Sequence, residues 1–532
     1  MKKWMYAGLS VALMSTALGT GVVANAATTN ANPNIPLVQA LDQNPDNLTP
    51  GMGGLAVDNG PVSLMNAPLI YLNLKDQWTG ELAKSWTSSS DGLTYTFQMN
   101  PKAKWSNGQP ITPKDVVYTW HYYTNPKLQF AYVTGWNYVK DVKAIGPNTV
   151  QFTLTKPYAP FLSTVASADI VPAAVFSKLS TSQLNHGYYD SHPVSSGPYI
   201  LKQWISDQEL VFVPNPYWFG PKVHIQKMIY EIIPNSQTAF NELVTQKLTM
   251  GGIPSEDLNQ VGSLTPNFNV IAPLQATYNQ ITPIENGFLK DTFVRQALDF
   301  ATPKAEIVKY ILHGQGIVAH GDQVPGGYFY DPKVPTRQYS PATAEKILKK
   351  DGFTPGPGGF LYKDGKELTA PIWTGSTSHT DMNIAQVVSA SWEKIGVYAP
   401  VHTADWSFIF GAKGPQFNGQ PECLLFSWGQ GVFPDDTIDF NSKYIVTSPT
   451  SPGENVEHYS NPYMDRLTED GTSLTSRSAR RQTYWAIQRL EQETLPLIFL
   501  YWQKSDLAVS KHLHGYEQTV FNSTPVWDWW ID

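Results

Sequence analysis

The sequence predicts a mixed α/β chain built from more than one core, and three observations carry that expectation. Strand-like and helix-like apolar patterns mix along the whole 532 residues. No unit of about 20 to 50 residues repeats, which excludes solenoids and propellers. Pro- and Gly-rich stretches such as TPGPGG, Thr354 to Gly359, are loop-sized rather than long linkers, so the expected body is compact and multi-domain.

The elements follow in order. Leu93, Tyr95, Phe97 and Met99 alternate with Thr94, Thr96 and Gln98, the period of a half-buried strand. Asn107-Gly108 makes a turn. Thr112-Pro113-Lys114-Asp115 reads as a capping box with proline at the first helical position, and the helix carries Val116 and Trp120 on one face. Gly146-Pro147-Asn148 turns a hairpin whose inward residues are Val150, Phe152 and Leu154. Gly197 to Ile233 is strand-rich, as in LVFVPNP and KMIYEII. Asn235 or Ser236 starts a helix that buries Ala239, Phe240, Leu243 and Val244. Asp291 caps a helix bearing Val294, Ala297, Leu298 and Ala301, and Thr302-Pro303 opens the next, which stops at Gly314. Further helices are expected from Ser340-Pro341 to near Gly352, from Thr380 to near Gly396, and from Ser476 to Thr494, the last of them stopped by Pro496.

The N-terminus reads as an export signal. Lys2 and Lys3 precede an apolar run from Met5 to Leu18, and Ala24-Asn25-Ala26 offers a small-x-small cleavage pattern, so cleavage is expected after Ala26. No other segment has about 18 consecutive apolar residues, which predicts a soluble mature protein. The sole cysteine, Cys423, is far from the cleavage point, so no lipid anchor is expected there and no disulfide can form within the chain. Lys and Arg number 37 against 44 Asp and Glu; loss of Lys2 and Lys3 leaves 35 against 44, or −9. With no basic block, nucleic acid is excluded as a partner. Charged residues reach only 15%, against about 25% in ordinary soluble domains, a composition that suits an acidic exterior. Aromatic residues reach 13%, enough for a large core and a wide ligand cleft.

Catalytic signatures are missing. There is no G-x-S-x-G, no P-loop and no H-E-x-x-H. The 11 histidines are scattered; His512 and His514 share a strand face but lack a third ligand, so neither metal nor cofactor is expected. Asp435-Asp436 in WGQGVFPDD suggests a glycosidase pair, yet adjacent carboxylates on an extended segment point apart, whereas two catalytic acids flank one bond at about 5–9.5 Å. Pro434 followed by two acids reads better as a helix start. A secreted hydrolase is therefore the lesser alternative, and no enzymatic activity is expected.

Four blocks carry a resemblance: ELAKSWTSSSDGLTYTFQMNPKAKWSNGQPITPKDVVYTW (Glu81 to Trp120), PVSSGPYILKQWISDQELVFVPNPYWFG (Pro193 to Gly220), FLKDTFVRQALDFATPKAEIVKYILHGQG (Phe288 to Gly316) and HYSNPYMDRLTEDGTSLTSRSARRQTYWAIQRLEQETLPLIFLYW (His458 to Trp502). Together they resemble the family 5 extracellular solute-binding proteins, the peptide- and nickel-binding receptors of ABC importers. That resemblance implies a two-lobed, hinged, periplasmic-binding-protein-like fold with an extra domain inserted in the first lobe. Residues 27–66, 196–282 and 506–532 would form lobe I, residues 67–195 the added domain, and residues 283–505 lobe II. It further implies a monomer, exported to a periplasmic or cell-envelope space, that closes on a peptide and presents it to a membrane permease. Trp105, Asn107, Gly108 and the Thr112 cap look structural. The expected ligand contacts are Tyr278, Trp373, Trp406 and Trp428, as aromatic platforms, with Gly431, Asp435 and Asp436. Peptide receptors of this kind often carry W-x-x-D, whose aspartate pairs with the peptide ammonium; here Gly431 occupies that position, leaving Asp435 or Asp436 to replace it. The departure also admits a neutral oligosaccharide as ligand.

Overall fold

The computed structural model describes residues 31–532 apart from 54, 55, 129, 131–134, 192, 449, 450 and 452. The expected signal segment, residues 1–26, lies outside the described residues. Two large sheets define the two lobes.

The first is seven-stranded, in the order Phe268–Ile271, Leu507–Ser510, Met250–Gly252, Leu37–Leu41, Met228–Ile232, Glu209–Pro214 and Tyr199–Ile205. Its period-2 pattern feeds two cores. Leu37, Met228, Tyr230 and Val509 pack on one side with Leu64, Trp529 and Ile531. Their chain neighbours Val38, Ile229 and Ala508 pack on the other with Phe240 and Leu243 of the helix Ser236–Val244. Val244, expected inside, is 37% exposed. The helix ends there, and Leu248 beyond it fills that part of the core.

The second sheet has six strands, in the order Gly316–Val318, Ile498–Lys504, Leu274–Pro283, Cys423–Gly429, Ile372–Gly375 and Val401–Ala404. Ile281, Leu425, Ile498 and Leu500 share one core with the helices Thr292–Phe300, Pro341–Lys350 and His379–Lys394, through Leu298, Leu348 and Trp392. Tyr278, Phe499 and Trp502 share another with the helices Pro462–Ser473 and Arg477–Thr494, through Met464, Tyr484 and Ile487. The caps are local: Asp291 accepts from the Phe293 amide at 2.8 Å, and Leu495, in the left-handed region at φ 49°, closes the last helix before Pro496. The helix expected from Thr380 begins at His379 instead, because the Ser378 side chain accepts from the Asp381 amide.

Between residues 67 and 195 the chain builds a separate body with its own core around a four-stranded antiparallel sheet, Ala83–Ser88, Thr94–Met99, Thr149–Leu154 and Val139–Gly146. Phe97, Val150, Phe152 and Val116 are fully buried there, and Trp105 is 3% exposed. The segment leaves and rejoins the first lobe at one place: the Ser196 and Gly197 amides both donate to Met65 O, at 2.9 and 2.8 Å. A Cβ at Gly197 would sit 2.6 Å from Leu64 O, so only glycine allows this backbone approach.

The chain crosses between the two large sheets twice, at residues 272–273 and 505–506, and the crossings touch: the Ser505 amide donates to Pro273 O at 3.2 Å. The expected boundary at 282 assigned the strand Leu274–Pro283 to lobe I. The strand instead pairs along its length with Cys423–Gly429 and Ile498–Lys504 in the six-stranded sheet.

Candidate ligand-binding site

The strand Cys423–Gly429 runs out of the second sheet into the loop 430–436, and the bodies meet around that loop. Phe433 stacks on Trp78 with ring centroids 5.5 Å apart. Asp435 accepts from the Tyr158 hydroxyl at 3.2 Å and from the Thr437 amide at 3.1 Å. The Ala159 amide donates to Thr472 O at 2.7 Å. From the first lobe, Val520 and Phe521 pack on the core that contains Tyr278 and Trp502. Residues 430–435 are thus touched or faced by both lobes and by the body of residues 67–195. The crevice beside Gly431 is lined by Asp76, Gln323, Tyr328, Val432, Arg477 and Phe521 and holds only about 10 Å³, so a peptide fits only when the bodies separate.

The expected contacts divide. Trp428 faces Tyr278 across the strand pair, but Tyr278 is 2% exposed, wedged between Phe499 and Trp502 with ring centroids at 5.5 and 5.1 Å. It is a core residue, and its hydroxyl is pushed far up by burial. Trp428 continues an aromatic run: it meets Phe426 edge-on at 5.9 Å, Phe426 meets Phe410 at 5.5 Å, and Phe410 stacks on Trp406 at 5.7 Å. Trp406 lies flat against Gly375, where a Cβ would come within 2.7 Å of the indole, and it remains 36% exposed. Trp373 stands beside this run, stacked on His402 at 4.7 Å and donating from Nε1 to Glu422 at 2.9 Å.

The two aspartates differ sharply. Asp435 is half-buried at the seam. Asp436 is fully buried with Asp322 and Glu491, at 0, 1 and 0% exposure. Gln430 Nε2 donates to Asp436 at 3.0 Å and to Asp322 at 3.4 Å, and Gln323 Nε2 donates to Asp322 at 3.0 Å. Burial first, then mutual repulsion with Asp322, pushes the Asp436 and Glu491 carboxyls far above the usual carboxylate range; burial raises Asp322 to about 6. Asp436 is therefore pushed toward its protonated form under the loop and presents no exposed surface to a ligand. The Asp435–Asp436 pair does open a helix, Thr437–Phe440.

Sequence reasoning missed Asp76, Tyr328 and Arg477. One signal was present: Arg477 opens a helix, at the end where the backbone dipole disfavours a cation. His512 and His514 both contact Asp532, at 3.0 and 3.3 Å, on an exposed corner. Among the described residues no group of three or more His, Cys, Asp or Glu is arranged to hold a metal ion, and no helix is long and apolar enough to cross a membrane. A concavity of about 600 Å³ at the sheet edge by Phe268 and Lys511 involves none of the loop residues.

Two sheet-centred lobes, joined by two touching crossings and meeting over one loop, define a two-lobed binding protein. Residues 77–444 match the profile described as "Bacterial extracellular solute-binding proteins, family 5 Middle", and the chain belongs to that family. The oligopeptide-binding protein AppA of Bacillus subtilis is 26% identical over 488 residues, covering 90% of this chain and 88% of its own. The dipeptide-binding protein of Escherichia coli is 24% identical over 510 residues, covering 90% and 91%. Among solved structures, NikZ from Campylobacter jejuni in complex with Ni(L-His) has a TM-score of 0.80 at 25% identity, covering 93% of this chain and 99% of that one. AppA from Bacillus subtilis in complex with a nonapeptide has a TM-score of 0.78 at 23% identity, covering 94% and 100%.

Proposed function

We propose that the protein is an exported receptor that captures peptides between its lobes and delivers them to the permease of an ABC importer. The observation that supports this best is the position of loop 430–436: every body of the molecule meets it, so a ligand bound there contacts both lobes and favours their closure. Residues 27–66, 196–271 and 507–532 form lobe I in this reading, 67–195 the added domain, and 274–504 lobe II. The touching crossings at 272–273 and 505–506 are the hinge. Relatives named for oligopeptides and dipeptides support the peptide assignment. Others are named for nickel and heme, but no imidazole lines the crevice beside this loop, and among the described residues no group of three or more His, Cys, Asp or Glu is arranged to hold a metal ion. The exposed faces of Trp406 and Phe408 favour an oligosaccharide as the second reading, because sugar rings stack on aromatic platforms.

The test is a thermal-shift panel of randomised tri- to pentapeptides, their N-acetylated forms, and neutral oligosaccharides, with small-angle scattering on any binder. Peptides should raise the melting temperature and compact the protein. N-acetylation should matter little, since Gly431 offers no carboxylate, Asp436 is fully buried, and Asp435 is engaged by the Tyr158 hydroxyl and the Thr437 amide. Binding of oligosaccharides alone would overturn the peptide assignment, and binding without compaction would overturn the hinge.

A further inference from the structure

We infer that the crevice beside Gly431 receives the carboxylate of the ligand on Arg477, with Asp76 of the opposite body acting against it; this rests on the peptide-receptor reading above. Arg477 is the first residue of the helix Arg477–Thr494, where the helix dipole works against a cation, so its charge is poorly placed for stability. Its guanidinium lies over the Tyr328 ring at 4.0 Å and 5.6 Å from the Phe433 ring. This aromatic seat fixes its plane and leaves its N–H donors uncommitted. Among the described residues it makes no ion pair. Arg480 behind it is spent on Gly471 O and Pro434 O, while Arg481 stands over the other contacts of Tyr328 and Trp485.

Gly431 completes the polarity. A Cβ there would meet nothing closer than Phe433 O at 3.8 Å, and its backbone is outside the left-handed region, so an aspartate would fit. With glycine instead, the crevice wall that carries Arg477 holds one carboxylate, Asp76, which comes from the other side of the seam and makes no ion pair among the described residues. The site is therefore built to attract an anionic group, and a planar guanidinium matches a carboxylate with two parallel hydrogen bonds. A ligand carboxylate pairs with Arg477, whereas Asp76 competes for the same cation and repels the ligand.

The experiment compares randomised tri- to pentapeptides carrying free or amidated C-termini, bound to the full chain and read by native mass spectrometry and calorimetry. Wild type should bind the amidated set at least tenfold more weakly, the loss expected when a charged hydrogen-bond partner is removed. R477Q should bind both sets as weakly as wild type binds amides, and R477K should recover part of the preference. D76N should shift the other way and tighten the free acids. G431D should erase the preference for a free carboxylate and create sensitivity to N-acetylation. Circular dichroism melts of each variant separate lost binding from lost fold. Peptide binding by wild type that ignores amidation, or a preference that survives R477Q, overturns the carboxylate site alone. Failure of wild type to bind either set overturns the peptide reading and this inference with it.

Discussion

Replacing Asp322 by asparagine should reverse its effect on stability between pH 4 and pH 7. Asp322 is 1% exposed and faces Asp436 and Asp439 from the loop and short helix, Glu491 from the long helix, and the amides of Gln323 and Gln430. Burial raises its carboxyl from 3.8 to about 6. A group raised in the folded state costs nothing below its unfolded value, because both states then hold the proton. As pH climbs from about 4 to about 6 the unfolded chain loses the proton first, and stability falls. A rise of about two units corresponds to about 3 kcal/mol. Asparagine cannot ionise, so D322N escapes that loss. It gives up one acceptor of the two glutamine amides, a cost of about 1 kcal/mol at every pH. D322N should be less stable than wild type by about 1 kcal/mol at pH 4 and more stable by about 2 kcal/mol at pH 7. Urea unfolding followed by circular dichroism at half-unit steps would read the difference; groups that Asp322 does not touch cancel between the two proteins, while loss of its charge also lowers the Asp436, Glu491 and Asp439 carboxyls and so adds to the gain of D322N as pH rises. A difference that stays constant from pH 4 to 7, or that moves against D322N as pH rises, would refute the reasoning.

Two further outcomes follow from single contacts. Arg295 is 2% exposed, donates to Leu289 O, Leu495 O and Thr494 O at 2.7–2.8 Å, and pairs with Glu285 at 3.1 Å; R295M strands these acceptors and should cost about 3–5 kcal/mol by urea unfolding, with a loss under about 1 kcal/mol speaking against the network. F433A removes the Trp78 stack across the seam, worth about 0.5–1.5 kcal/mol, so peptide affinity should fall roughly threefold to tenfold by calorimetry while the melting temperature of the free protein barely moves; unchanged affinity would mean the stack plays no part in closure.

Local elements were legible because their signals are local. Asp291, Ser340 and Ser476 announce helices by capping chemistry, and Val150, Phe152 and Leu154 announce a buried strand face by alternation; all three of those strand residues are at most 3% exposed. The strand Leu274–Pro283 shows the limit. LQATYNQITP carries no clean apolar alternation to mark a strand, its membership is decided by Cys423–Gly429 and Ile498–Lys504, and nothing within it names those partners. Tyr278 failed as a ligand contact for a related reason. Alternation tells which residues share its face, not whether that face looks into a cleft or onto the helices Pro462–Ser473 and Arg477–Thr494.

The site itself was half legible. Reading along the chain located the loop and flagged the missing aspartate at Gly431, because both are properties of one short stretch. Which carboxylate could replace it is a question of burial, and burial is set by the bodies that close over the loop. Asp435 and Asp436 are neighbours in sequence, yet one bonds to Tyr158 across the seam while the other lies beside Asp322 and Glu491, where burial and their charge push it toward its protonated form. The same closure brings Asp76 and Arg477, distant in the chain, to one crevice wall around Gly431. A glycine in place of an acid changes little by itself. Set opposite Arg477, which is seated on Tyr328 and makes no ion pair among the described residues, it would invert, under the proposed carboxylate site, the charge that the crevice offers to a ligand.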